Sequence, residues 1–413
     1  MQPFTPRTLR AGLVAVMLAC AGPALALDTT LDDVRLEQMH DGVKATLAIK
    51  RIDIVGANLT KDELTQLFSP GLSDEARKAL AARLSASRIS APELVATNGE
   101  GTFTMTDLLA ENIDRGKIGH MAIAGLSGDF PAEKGGRATL KSGPFVLDGG
   151  DLSPLLTDGV TAGLAPTSHM SWTGLEITVP DEDMPAGKGD NLIRITMDSF
   201  VADSTTDGTV PLTATARLDH LRIVPAPGSD MATGMQAAGY EQVDIGLTMA
   251  GSYDPATRIV TLQDYTLTGA KAGALSVQGT FTDVDKAVFS GKNEEKMAAL
   301  MKGAIATLKL SYADAGLFDK ALAIYAAQEG KTPAEVKAQW SAMASQFIPL
   351  VLGGAPGSLN VAKAISGFIA RPQTLTITAK AKGAPLRFEE LSRMKDPSGL
   401  IKRVELDGTS GAR

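Results

Sequence analysis

Four histidines, His40, His120, His169 and His220, are the residues best suited to proton transfer or metal binding near neutral pH. None stands four residues from another, and no His-Glu-x-x-His run occurs, so local spacing builds no zinc site. Asp181, Glu182, Asp183 and Asp190, around Gly187 and Gly189, offer the hard oxygen ligands that calcium prefers. They lack the alternating acidic order of a calcium loop and read as a solvated hairpin loop. The run from Asp203 to Asp207 and Gly208 fails the same test, because no glutamate follows at the twelfth position. Gly125-Leu126-Ser127-Gly128 approaches a nucleophile elbow but reads as a strand end. Gly353 to Ser358 leads into a helix whose free amides suit an anion; without the lysine of a phosphate loop it reads as a helix-to-helix turn. The pairs Glu294-Glu295 and Glu389-Glu390 read as solvated helix faces, and two tryptophans with five tyrosines make a poor set of stacking platforms. The sequence therefore assigns no catalytic, cofactor-binding or metal-binding residue. A non-enzyme is expected; the alternative is a hydrolase whose residues meet only in three dimensions.

The only cysteine, Cys20, falls in a leader-like stretch. Arg7 and Arg10 precede the apolar run Ala11–Gly22, Pro23 breaks it, and Ala24-Leu25-Ala26 has the small residues of an export cleavage site. A cut behind Ala26 leaves 387 of the 413 residues, with no thiol and hence no disulfide. Loss of the two arginines takes the net charge from −7 to −9, a balance that disfavours nucleic acid and anionic membrane surfaces. The expected location is the periplasm, with no membrane span after cleavage. The alternative is a lipid anchor on Cys20, in the box Met17-Leu18-Ala19-Cys20.

The surrounding elements are strands first. Val243, Ile245, Leu247 and Met249 share one face, Asp254-Pro255 turns the chain, and Gly269 to Gly273 turns it again. Then Leu275, Val277 and Phe281 point inward, and Ser276, Gln278, Thr280 and Thr282 point out. This reads as a three-strand meander with one wet face. The middle strand changes phase at Gln263-Asp264, as a β-bulge or a sharp coil in the strand would make it do. The same spacing, apolar-x-apolar-x-x-apolar-x-apolar, returns at Ala216–Ile223 across Asp219-His220, and at Met170–Ile177 across Thr173-Gly174. Looser versions occupy Leu47–Ile54 and Ile195–Ala202.

Helical signals occur in two places. Thr60-Lys61-Asp62-Glu63 has the form of a capping box, and Ser73 can cap a second helix, which gives a hairpin at about 61–86. Met297, Leu300, Met301 and Ala304 open a larger helical block, and Thr332-Pro333-Ala334-Glu335 starts another helix carrying the stripe Val336, Trp340, Met343 and Phe347. That stripe reads as core. Ser358 is placed to cap the last helix of the block, and a strand at Leu375–Ala379 and a frayed tail from Thr409 follow. The expected organisation is a leader over 1–26, a β-rich region over 27–286, a helical block over 287–371, and a final strand, short helix and tail over 372–413.

The stretches Leu-Ser-Tyr-Ala-Asp-Ala-Gly-Leu at 310–317, the capped helix from Thr332, and Arg-Pro-Gln-Thr-Leu-Thr-Ile at 371–377 resemble the C-terminal part of uncharacterised exported proteins of Gram-negative bacteria. The strands upstream are similar in texture to AsmA-like and YdgA-like envelope proteins, although no retained membrane helix is present. The resemblance implies an envelope role, with lipids as partners, and supplies no catalytic residue. The expected fold is thus α+β: a long coiled antiparallel sheet with repeated bulged strands, covered on one face by the helical block. The expected function is an envelope protein that binds a lipid or other apolar small molecule in a hollow between sheet and helices. Small side chains at Ala214, Ala216, Gly279 and Ala379 leave room for such a hollow. A structural or scaffolding protein with a filled core is the rival.

Overall fold

A computed structural model describes residues 27–40, 43–69, 72–99, 101–132, 135–151, 167–184, 191–208, 210–289, 293–393 and 398–411. The leader with Cys20, and Gly187, Gly189 and Asp190 of the acidic loop, lie outside the described residues. Among those described, the chain forms 18 strands, antiparallel wherever register is defined, and helices between them. It divides into two compact units: residues up to 204 with 222–231, and residues 205–221 with 232 onward.

The first unit is a meander of unusually long strands: β1 (Leu27–His40), β2 (Val43–Ala57), β3 (Ser85–Asn98) and β4 (Gly101–Asp114). Next, β5 (Lys117–Ile123) and β6 (Gly125–Pro131) both pair with β4. Their partners β8 (Phe145–Asp151) and β7 (Arg137–Ser142) both pair with β9 (His169–Pro180), which pairs with β10 (Leu192–Asp207). Fourteen residues at about 3.3 Å each reach roughly 46 Å.

Such a strand cannot stay flat, and the buried residues show how it turns. In β4 they are Phe103, Met105, Leu108, Ala110 and Ile113; in β3, Ala86, Ile89, Ala91, Leu94 and Ala96; in β2, Leu47, Ile49, Ile52, Ile54 and Ala57. Simple alternation would send Leu108 outward. Asp107 and Asn112, with φ of 49° and 54°, each add a residue that rotates the strand and restores the inner phase. The pairing of β3 with β4 runs from Ser85↔Asp114 to Asn98↔Gly101 with no register shift. Neighbouring strands therefore take the slip together, which corresponds to the sharp coil of the two alternatives in the sequence pattern and not to a bulge. Two rows of slips cross the sheet, and Gly56 shows why they need small residues. Gly56 has φ of 66°, and a Cβ there would stand 2.6 Å from the Ser87 Oγ of the next strand.

Two helices, α1 (Lys61–Leu67) and α2 (Asp74–Ala81), form the expected hairpin. The Thr60–Glu63 capping box is present, and Ser73 accepts from the Ala76 amide. Leu64 and Leu67 enter the same core cluster as the inner rows of β1 to β5. Buried Arg77 ties the hairpin by donating to the carbonyls of Leu67, Ser69 and Leu72.

The second unit contains the predicted meander as β12 (Val243–Asp254), β13 (Ile259–Gly269) and β14 (Gly273–Thr282). Here the slip is one-sided. Ala250 pairs with Asp264 and Gly251 with Leu262, leaving Gln263 as the extra residue of a bulge. The strand β11 (Val210–Val224) carries His220 at φ of 49° at its own predicted switch, and α3 (Asp230–Ala237) follows it.

Three expectations are corrected in this unit. The helical block over 287–371 is not continuous: after α4 (Asn293–Lys302) the chain forms β15 (Ala304–Asp314), which pairs with β14 and with β16 (Thr374–Ala381). Ala304 fits the spacing of the helix before it, which hid the alternation Leu308, Leu310, Tyr312 behind it. The tail is not frayed at Thr409: β18 (Val404–Gly411) pairs along the whole of β16. Ser358 is not a cap either. The helices α5 (Leu317–Gln328), α6 (Pro333–Val351) and α7 (Pro356–Ala370) complete the block; Ala355 caps α7, and the buried Ser358 hydroxyl donates to the Ala355 carbonyl. The Thr332–Glu335 capping box is formed. Short elements β17 (Leu386–Arg387), α8 (Phe388–Arg393) and α9 (Ser398–Arg403) link β16 to β18.

Candidate functional site

The described histidines outside the β1 end all bond aspartates across strands. Nδ1 of His120 lies 2.6 Å from Asp148, that of His169 2.7 Å from Asp203, and that of His220 3.0 Å from Asp244. His40 ends β1, and its side chain lies outside the described ones. In the first unit the register extends the pattern into one row, Arg88, Glu111, His120, Asp148, His169 and Asp203, in which arginine or imidazole side chains alternate with carboxylates over six strands. Directly opposed side chains that hydrogen-bond across strands stabilise antiparallel pairs, so this row is a device of sheet pairing. Among the described residues no three acidic, histidine or cysteine groups converge as metal ligands.

The other candidates take structural places. Asp181 accepts from the Asp183 amide in a local turn. Ser127 lies within β6, opposite Thr104 and Lys141. Gly353 and Gly354, with φ of 76° and 71°, make the turn from α6 to α7. Glu389 and Glu390 pair with Arg393 and Arg403. Asp203, besides binding His169, belongs to β10.

What the second unit does present is a sheet with two contrasting faces. On one face stand Leu247, Met249, Tyr265, Leu267, Leu275, Val277, Leu308, Leu310, Tyr312 and Ile377. The helix α7 covers this face at the β16 and β18 side. Gly408 permits the close approach: a Cβ there would lie 2.8 Å from the Val361 Cα. Tyr312 extends the cover through ring contacts to Phe368 of α7, on to Phe318 of α5, and on to Trp340 of α6. Its hydroxyl donates to the Ala272 carbonyl and Asp314, and burial, with the Asp314 charge, pushes its ionisation far up. The opposite end is closed by Tyr253 against Phe289 and by Phe281 against Phe388. Between these covers Tyr265, Leu267, Leu275 and Leu310 remain 37–41% exposed. The stripe expected to be core divides in the same way: Val336 is buried, but Met343 and Phe347 are about half exposed, as is Leu359 of α7.

The other face is polar and forms a groove of about 790 Å³ that crosses the strands. One wall is the row Thr261, Thr280, Thr307, Lys380 and Glu405. The other is Gln263, Gln278, Lys309, Thr378 and Asp407. Leu262, Gly279, Leu308 and Ala379 form the row between them, at the floor of the groove, with their side-chain positions turned to the apolar face. Two of the small residues singled out in the sequence, Gly279 and Ala379, thus lie under a groove that opens on the polar face, although alternation turns their own side-chain positions to the apolar face. The sequence reading missed Lys309, Lys380, Glu405 and Asp407, because their strands were unassigned or followed no further than Ala379.

A family model described only as "Uncharacterized protein" matches residues 266–410, about a third of the chain. That stretch runs from within β13 to β18 and includes most of both faces just described. No curated protein matches the chain.

Proposed function

We propose that the chain is an exported envelope protein that binds rather than transforms its ligand, and that its second unit holds a lipid acyl chain against the open apolar face of the sheet. The supporting observation is the exposure of Tyr265, Leu267, Leu275 and Leu310, four large side chains side by side on strands β13 to β15. Burying one such side chain fully is worth about 1.5–3 kcal/mol, so a contiguous patch of this kind is a surface that gains from being covered. From β12 to β16 the strip spans about 20 Å at roughly 4.8 Å per strand, comparable to one extended acyl chain. The leader-like stretch, and the resemblance of the sequence to exported envelope proteins, support the envelope part of this reading. A lipid anchor on Cys20 is the alternative route to the same compartment.

Native mass spectrometry and lipid extraction of the full chain, purified from a periplasmic fraction without detergent, test this reading. Bound lipid is expected, and Leu267→Ser with Leu310→Ser is expected to reduce it severalfold while the circular dichroism is unchanged. A clean apo mass overturns the proposal, as does equal lipid in the variant. A concentration-dependent dimer abolished by the same variant would instead support the scaffold reading. An activity against esters, peptides or glycosides that one Ser, Asp or His substitution abolishes would overturn the non-enzymatic assignment.

A further inference from the structure

The groove on the polar face is independent of the apolar face, since it lies on the other side of the same sheet. Its walls are two rows of side chains, each extending over five strands, so it is about 20 Å long at roughly 4.8 Å per strand. Four threonines and two glutamines line it, groups that both donate and accept hydrogen bonds. A ligand that satisfies such walls must itself present donors and acceptors at short, regular intervals. A chain of sugar rings does this; an acyl chain or a bare anion does not.

The charges narrow the class. Lys309 on β15 and Lys380 on β16 are diagonal neighbours, since Lys309 faces Thr378 and Lys380 lies two residues beyond. Their stems start roughly 7 Å apart. Like charges on diagonal positions repel, and an anion seated between them would relieve that cost. Neither lysine has an ion-pair or hydrogen-bond partner among the described residues, although Glu405 stands directly opposite Lys380. Asp407 accepts from Asn360 Nδ2 at 2.9 Å. The acidic pair therefore marks one end of the groove, and the two free ammonium groups mark its middle.

We propose that this groove binds a short acidic glycan lying across β13 to β18. Its carboxylate or phosphate group is held between Lys309 and Lys380, and its hydroxyls bond to Thr261, Thr280, Thr307 and Thr378 and to the acidic end. The volume suits a few sugar rings, within the usual range for ligand sites.

Titration calorimetry on the full chain tests the assignment with four probes: trigalacturonic acid, galacturonic acid, neutral maltotriose and glucose 1-phosphate. The acidic trisaccharide is expected to bind saturably, at least about tenfold tighter than either its monomer or maltotriose. The Lys309→Gln/Lys380→Gln variant is expected to lose that preference while its thermal midpoint stays unchanged, because both side chains are exposed. Glucose 1-phosphate displacing the trisaccharide competitively would identify phosphate as an acceptable anion at the same place. Absence of saturable binding, a monomer that binds as tightly as the trimer, or a lysine variant with undiminished preference each overturns the proposal. Leu267→Ser/Leu310→Ser is expected to leave glycan binding intact, so that failure of the lipid reading and failure of this one are separate results.

Discussion

The inner face of the first unit and the apolar face of the second are written in the same alternating residues, yet they end in different states. Ile49, Ile52 and Ile54 are 1–2% exposed, whereas Leu267, Leu275 and Leu310 are 37–41% exposed. The cause lies in what each face meets. In the first unit, strands that slip in step bring the inner rows of β1 to β5 and Leu147 of β8 into one cluster with α1. In the second, α7 and the Phe289 and Phe388 contacts cover the two ends of the face and leave its middle open. Apolar periodicity thus specifies which face a residue joins; whether that face becomes core or binding surface depends on elements far away in sequence.

Paired truncations test this contrast most strongly. Ile54→Ala removes methylenes that no solvent reaches and should cost about 2–4 kcal/mol, by the lost transfer energy and the cavity left behind. Leu310→Ala removes a side chain already in contact with water and should cost less than about 1 kcal/mol. Urea unfolding followed by circular dichroism gives both values. If Leu310→Ala proves as costly as Ile54→Ala, the second face is covered in solution and the contrast collapses.

A second pair separates the shared slip from ordinary turn strain. Gly56→Ala meets both a φ of 66° and the Ser87 Oγ at 2.6 Å, whereas Gly208 has φ of 59° with open space around it. The backbone penalty alone is about 1–2 kcal/mol, so Gly208→Ala should show that much, and Gly56→Ala roughly 1 kcal/mol more from displacing Ser87. Equal losses would mean that the row of small residues does not hold adjacent strands in step.

Much of this fold was legible in local signals and little of the site was. The capping boxes at Thr60 and Thr332 are written within four residues, and the meander from Val243 within strict alternation, so both were readable. The slip at Asp219-His220 was readable because its spacing departs from period two. Ala304 misled because it satisfies a helical spacing at the end of α4, and with β15 hidden, Lys309 had no visible neighbours. The groove depends on β14, β15, β16 and β18 lying side by side, which joins Gln278 to Asp407 across 129 residues of chain. No window of sequence contains that adjacency.

The smallest expected effect compares the two capping boxes under acid. The Glu63 carboxylate accepts from the Thr60 amide at 2.9 Å and from Arg83 at 3.0 Å; the Thr60 amide, more than Arg83, holds it below the ordinary glutamate value. The Glu335 carboxylate accepts from the Thr332 amide at 2.8 Å, and that bond is the chief reason its own value is lowered, with Lys331 a minor one. A carboxyl group whose folded value is depressed adds stability above its unfolded value, near 4.5, and loses it as pH falls through the folded value. Glutamine at the same position keeps a hydrogen-bonding cap but does not titrate. The stability advantage of the native chain over Glu63→Gln, and over Glu335→Gln, should therefore shrink below about pH 4.5 and be constant above it. Thermal unfolding from pH 3 to pH 7 reads this directly. Added salt should narrow the Glu63 difference more than the Glu335 one, because only Glu63 makes an exposed ion pair with an arginine across the helical hairpin. A difference that grows as pH falls, or the same salt response in both, would show that the caps do not act through these carboxylates.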